Sequence, residues 1–144
     1  MVQVKTKERW VSLSRKLGKS LTEHEEQVFL CDFIHETYPD LLFYAIPNGG
    51  VRTEGAREKL KREGLLKGVP DLCFPELNLY IEMKRTKGGS LSPFQKDVIA
   101  RLKKIGCRVE VCHGFEEAKK VLQEVILQVG KIPTKDRKQK PVED

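Results

Sequence analysis

Helical and strand-like stretches alternate along this chain, and proline or glycine marks most of the joins. Thr22 suits a helix N-cap, Glu25 three residues on completes a capping box, and Pro39 forces a stop after about Tyr38. Residues 41–46 read as a short buried strand, broken by Pro47-Asn48-Gly49-Gly50, and residues 53–63 as a short exposed helix ending at Gly64. Residues 69–74 and 77–84 are strand candidates separated by Pro75-Glu76. Ser92-Pro93-Phe94-Gln95 then opens a helix, with Ser at the N-cap, Pro at the first position and Gln at the third. Phe94, Val98, Leu102 and Ile105 recur at helical spacing until Gly106. Residues 108–112 predict a strand and 115 to about 129 an amphipathic helix. The order αβ(α)ββαβα, in 144 residues, predicts one α/β sandwich with a small mixed sheet.

Three classes are disfavoured. No apolar run approaches the ~20 residues of a membrane span. The start, MVQVKTKERW, lacks the apolar stretch of a secretory signal. Cys31, Cys73, Cys107 and Cys112 show no C-x-x-C spacing and have apolar neighbours, so they read as reduced core thiols of a cytosolic protein rather than zinc ligands or disulfides.

The net charge of +6 is unevenly placed. Residues 1–19 hold six Lys/Arg and one Glu and read as a basic arm. Residues 130–144 hold five Lys/Arg and three acids and read as a disordered basic tail, leaving 20–129 as the folded domain. Within that domain, six acids and no Lys or Arg occur over 20–51, followed by six bases against three acids over 52–67. An acidic block beside a basic one suits a site that holds metal ions and touches phosphate, although solvated surface helices carry such mixtures too.

The chemistry concentrates in Val69-Pro70-Asp71-Leu72 and Ile81-Glu82-Met83-Lys84. Strand alternation sets Glu82 and Lys84 on one face and Ile81 and Met83 on the other. If the two strands form a hairpin across residues 75–78, Asp71 comes near Glu82. Two carboxylates beside a lysine suit metal-assisted hydrolysis: hard oxygen ligands take Mg²⁺, which activates a bound water and offsets phosphate charge. The lysine can orient or deprotonate that water, or stabilise the transition state. An E-x-K pair alone is commonly a solvated pair; the Pro-Asp ahead of it favours the site reading. The first helix supplies a third acid. At about 100° per residue, Glu23 and Gln27 share the side of Leu30, Ile34 and Tyr38, with Glu26 at its margin. An acid aimed into a packed face needs a partner or a metal, so Glu23 is the expected site acid and Glu26 its substitute.

Thr22-Glu23-His24-Glu25-Glu26-Gln27, Ile46-Pro47-Asn48-Gly49-Gly50, Gly68-Val69-Pro70-Asp71-Leu72, Ile81-Glu82-Met83-Lys84-Arg85, residues 88–95 (GGSLSPFQ) and Val111-Cys112-His113-Gly114 together resemble the virus-type replication-repair nuclease (VRR-NUC) family, a branch of the PD-(D/E)xK phosphodiesterases. The resemblance covers roughly residues 20–125, with the motifs in the family's order. It implies a restriction-endonuclease-like αβββαβ core using Mg²⁺ or Mn²⁺. It further implies structure-selective cleavage of DNA, including resolution of four-way (Holliday) junctions by homodimers, in a phage or bacterial host cytosol. Asp71, Glu82, the Met83 carbonyl and Glu23 would then be metal ligands. Lys84 would be the catalytic lysine and Gln95 the family glutamine, alongside its capping-box role. A flap, fork or nicking nuclease of the same fold is the alternative. A non-catalytic DNA-binding accessory protein fits less well, because the D…E-x-K set is intact.

Asn48, Arg52, Lys59, Arg62, Lys67, Arg85 and Lys87 are candidate phosphate contacts. His24, His35 and His113 are too scattered for a ligand set, and Trp10 could cover the domain or stack on a base.

Overall fold

Helix α1, Glu23–Thr37, begins as the capping signal requires: Thr22 Oγ1 accepts the Glu25 amide at 3.2 Å, and the helix closes at Tyr38, just before Pro39. The computed structural model describes residues 21–47 and 53–130; the proposed arm and tail, Trp10, Asn48 and Arg52 lie outside them. After α1 come β1 (Tyr44–Ala45), α2 (Glu54–Arg62), β2 (Leu72–Phe74), β3 (Leu79–Lys84), α3 (Pro93–Lys104), β4 (Arg108–His113) and α4 (Phe115–Val129). The four strands form one mixed sheet in the order β1-β2-β3-β4, the first two pairings antiparallel and β3–β4 parallel. This is the predicted α/β architecture.

The hairpin forms where the sequence places it. Pro75–Leu77 make a 3₁₀ turn, and Asn78 takes the left-handed conformation that its short polar side chain tolerates. Leu72 pairs with Ile81, so the register carries Asp71 to a position opposite Glu82. Alternation then separates two faces. Leu79, Ile81 and Met83 join Leu72 and Phe74 in a core closed by Leu30 and Ile34 of α1 and Leu122 and Val125 of α4. Each such fully buried side chain contributes about 1.5–3 kcal/mol of burial free energy. Tyr80, Glu82 and Lys84 point to the opposite face, where α3 packs along β4.

Three local expectations are corrected. The stretch 41–46 is not a buried strand: Leu41 alone is fully buried, and Tyr44 and Ala45 are exposed. Among the described residues β1 is an edge strand, with a neighbour on one side only. On α3, Val98 and Ile99 are buried while Phe94 and Ile105 are exposed, because only the middle of the helix is covered. On α1 the buried stripe runs through Glu26, Phe29, Leu30 and Ile34, so Glu26 is the buried acid, and Glu23 and Gln27 are only half-buried. All four cysteines are free, Cys73 and Cys112 being buried. Among the described residues no helix is long and apolar enough to cross a membrane.

Candidate active site

Asp71 ends the approach to β2, and its Oδ2 accepts the Met83 amide at 2.7 Å. Lys84 turns its backbone to the β4 side, where its carbonyl accepts the Gly114 amide at 3.0 Å. Neighbouring strand residues turn their peptide groups to opposite sides, so Met83 directs its N–H and carbonyl toward Asp71. The Asp71 carboxylate, the Glu82 side chain and the Met83 carbonyl therefore converge at the mouth of the β2–β3 hairpin, beyond the last β2 pairing.

Glu82 is 1% exposed. Its Oε1 accepts from Gln95 Nε2 at 2.8 Å and lies 3.6 Å from Lys84 Nζ. Lys84, 8% exposed, donates to Gln95 Oε1 at 3.1 Å. That same Oε1 accepts the Ser92 amide at 2.9 Å, while Ser92 Oγ accepts the Gln95 amide at 3.2 Å. One glutamine thus closes the capping box of α3, as the sequence predicts, and also bonds to both Glu82 and Lys84.

Burial pushes the Glu82 carboxyl up to about 7; the neighbouring Asp71 charge adds to this, Lys84 opposes it, and Glu23 adds further. Burial also raises Asp71, against the pull of the Met83 amide and Lys84. Two acids held together out of water disfavour their own ionisation unless a cation joins them. Glu82 Oε2 is buried with no hydrogen-bond partner among the described residues. An orphaned carboxylate oxygen beside a second carboxylate is the donor set a hard divalent cation takes, so these residues fit the implied metal. Among the described residues no three His, Cys, Asp or Glu side chains cluster closely enough to hold an ion by themselves. A shell built here would need the Met83 carbonyl and water besides the acid pair.

The two candidate site acids of α1, Glu23 and Glu26, have different surroundings. Glu23, half-buried, contributes to the field at Glu82. Glu26 is committed elsewhere: Oε1 accepts from Thr86 Oγ1 at 3.0 Å, and Oε2 accepts the Phe115 amide. Gly114, at the N-cap of α4, has no side chain to cap that helix, and Glu26 supplies the cap from across the fold. That absent cap was the one sequence signal for this role, and the sequence reading of Glu26 did not use it. The fold likewise ties the strand exit at Thr86 to α1.

Of the candidate phosphate contacts, Lys59 and Arg62 lie exposed on α2, and Arg85 and Lys87 are exposed on the loop leaving β3. Lys67 places Nζ 4.4 Å from the centre of the Phe94 ring. Gly68, part of the Gly-Val-Pro-Asp-Leu motif, has a packing role that the sequence alone does not assign. With φ +93°, it lies so close to the start of α3 that a Cβ would fall 2.5 Å from the Phe94 carbonyl carbon and oxygen.

A mixed sheet whose hairpin mouth carries two carboxylates, a lysine and a glutamine is the arrangement of the PD-(D/E)xK nucleases. The VRR-NUC domain family matches residues 13–116, and the chain belongs to that family. A solved structure described as a VRR_NUC domain protein is 26% identical; the match covers 78% of this chain and 93% of that one, with a TM-score of 0.65. No curated protein matches the chain. A VRR-NUC domain implies a nuclease of the PD-(D/E)xK type, with DNA as its partner.

Proposed function

We propose that the chain is a divalent-metal-dependent, structure-selective DNA endonuclease that resolves four-way junctions as a homodimer in a cytosolic setting. The observation that carries the metal-dependent reading is the half-buried Asp71 opposite the buried Glu82, with Glu82 Oε2 lacking a partner among the described residues. Asp71, Glu82 and the Met83 carbonyl would hold Mg²⁺ or Mn²⁺, with Glu23 near by. Such an ion supplies an activated water and offsets charge on the scissile phosphate. The chain's own part is positioning. Gln95 fixes the Glu82 carboxylate and the Lys84 ammonium together, and Lys84 would orient the attacking water or stabilise the charged transition state. The exposed Lys59, Arg62, Arg85 and Lys87 supply phosphate contacts, with Asn48, Arg52 and the basic ends adding to them.

Junction resolution needs two opposed cuts related by a two-fold axis, which a C₂ dimer supplies. Phe115, Leu122, Val125 and Ile126, which could have served a contact between copies, fill the core instead; Leu42, Tyr44, Leu127 and Val129 remain exposed. Cleavage of four-way, forked, flapped and linear DNAs tests this reading with Mg²⁺, Mn²⁺, Ca²⁺ or Zn²⁺, alongside sedimentation at micromolar protein. Mg²⁺- or Mn²⁺-dependent cutting fastest on the four-way DNA, by a dimer, is expected. Activity with zinc alone removes the all-oxygen metal site. Faster cutting of forked or flapped DNA by a monomer moves the assignment to the alternative nuclease. Binding without divalent-dependent cutting leaves an accessory protein.

A further inference from the structure

One residue before Gln95 stands an aromatic side chain that neither the core nor the proposed chemistry uses. Phe94 is 53% exposed, at the second position of α3, next in sequence to the Gln95 that holds Glu82 and Lys84. A single exposed apolar residue is ordinary on a protein surface. Three further features set this one apart.

Its backbone is fixed. Pro93 occupies the first turn, and Ser92 and Gln95 close the capping box around it. Gly68 lies against its peptide group, close enough that any Cβ there would overlap it. It carries a cation as well: the Lys67 ammonium lies 4.4 Å from the ring centre, a cation–π distance. Both residues are also tethered to the site, Lys67 four residues before Asp71 and Phe94 one before Gln95. The two residues lie on different segments that meet where Gly68 approaches the start of α3.

An exposed aromatic ring with an ammonium lying over it, free to swing onto a phosphate, matches a nucleotide whose base has left the duplex stack. The base stacks on the ring, and the adjoining phosphate takes the ammonium. A paired base inside a duplex offers no such face. We propose that Phe94 and Lys67 form a subsite for an unstacked base and its phosphate next to the cut, so that the enzyme selects branched DNA by holding a base that the branch has released. This rests on the nuclease reading and names what the same site recognises.

The test uses the full chain and a forked DNA carrying 2-aminopurine at the first unpaired nucleotide, with a fully paired duplex of the same sequence as control. Binding without divalent ions is followed by fluorescence and anisotropy, and cutting separately with Mg²⁺. Wild type should quench the probe on the fork and not in the duplex. Phe94→Ala should lose the quench and bind the fork roughly 5- to 150-fold more weakly, the range for removing one base–aromatic stack. It should bind the duplex as wild type does. Phe94→Trp should restore both signals, and Phe94→Leu, which keeps the apolar volume, should not. Lys67→Gln should flatten the log–log salt dependence on the fork by about 0.7. Equal losses on fork and duplex, or rescue by Leu, would show a structural role and overturn the proposal. Cutting by wild type with Phe94→Ala unaffected on the fork would also overturn it, while leaving the nuclease reading intact. Quenching with no cutting under any divalent ion would do the reverse: the subsite stands and the nuclease reading falls.

Discussion

Gln95 donates from Nε2 to Glu82 Oε1 at 2.8 Å, and its own Oε1 is shared between the Lys84 ammonium and the Ser92 amide. The start of α3 is thereby locked to the charged face of β3 by one side chain. Loss of Gln95 would free the helix terminus and loosen two site groups at once. Gln95→Ala should lower cleavage about 10- to 100-fold, the usual cost of removing a group that orients a ligand. It should also cost about 1 kcal/mol of stability through the capping box. Gln95→Glu closes the box equally well but sets a third acid against Glu82. Stability near that of wild type with cleavage still depressed would separate the two roles; full activity in both variants would deny Gln95 any part in the site.

Asp71→Asn, Glu82→Gln and Lys84→Ala should each abolish cleavage with the fold retained. The first two variants keep the shape of the acid pair and remove its charge, so circular dichroism should be unchanged. For Glu82→Gln the prediction is sharper. Because the buried carboxylate has an oxygen without a partner among the described residues, its neutral amide should make the metal-free protein more stable near neutral pH, not less. Near wild-type cutting by Glu82→Gln with metal present would remove it from the site.

The Glu82 carboxyl, raised to about 7 from an ordinary 4.5, binds its proton more tightly in the folded chain than in the unfolded one. Metal-free protein should therefore lose stability as pH rises from about 4.5 to about 7, by roughly 2–3 kcal/mol, and little further above that. Glu82→Gln should remove most of this slope, with the raised Asp71 accounting for part of the remainder. A divalent ion takes the ionised pair, so ion affinity and cleavage should climb with pH up to about 7 and then level. Thermal melts in chelator at pH 5 and 8, with single-turnover rates across the same range, measure both. A stability that rises over this interval without metal would contradict the burial of Glu82.

The fold and the two central strands were legible because their signals are local. Thr22, Ser92, Pro39 and Pro75 fix where elements start and stop, and period-two alternation puts Glu82 and Lys84 on one face. The face of α1 was not legible, for a geometric reason. Glu23, Gln27, Leu30 and Ile34 form one helical stripe, and Glu26, Phe29, Leu30 and Ile34 form another. The two share Leu30 and Ile34, so periodicity cannot choose between them. What decides is Thr86 and the uncapped start of α4, some 60 and 89 residues away in the chain. The edge position of β1 and the contact of Gly68 with α3 are likewise products of tertiary packing.

The two acids of α1 should separate in a paired experiment. Glu26→Ala removes the partner of Thr86 and the cap on α4, and should cost about 1–3 kcal/mol. Glu26→Gln can still accept the Phe115 amide and donate to Thr86, so it should regain most of that stability and most of the cleavage. Glu23→Gln should leave the melting temperature unchanged, because its half-buried side chain closes no cap, and should depress cleavage by removing a negative charge from near the acids that would hold the cation. If Glu26→Gln is inactive and Glu23→Gln cuts normally, the site acid is Glu26.

Gly68 and Gly64 offer a controlled comparison of backbone strain with contact. Both have positive φ, +93° and +103°, so alanine at either pays the left-handed penalty of about 1–2 kcal/mol. At Gly64 nothing lies within 4 Å of the added carbon. At Gly68 it would fall 2.5 Å from the Phe94 carbonyl and 2.8 Å from the Gln95 amide, so the start of α3 must move away from the segment that leads to Asp71. That movement pulls Gln95 off Glu82 and Lys84. Gly68→Ala should therefore lose more stability than Gly64→Ala and, at a temperature where both are fully folded, cut about 10- to 100-fold more slowly. Gly64→Ala should cut at the wild-type rate. Equal melting temperatures and equal rates for the two variants would show that the approach of Gly68 to α3 does not position the site.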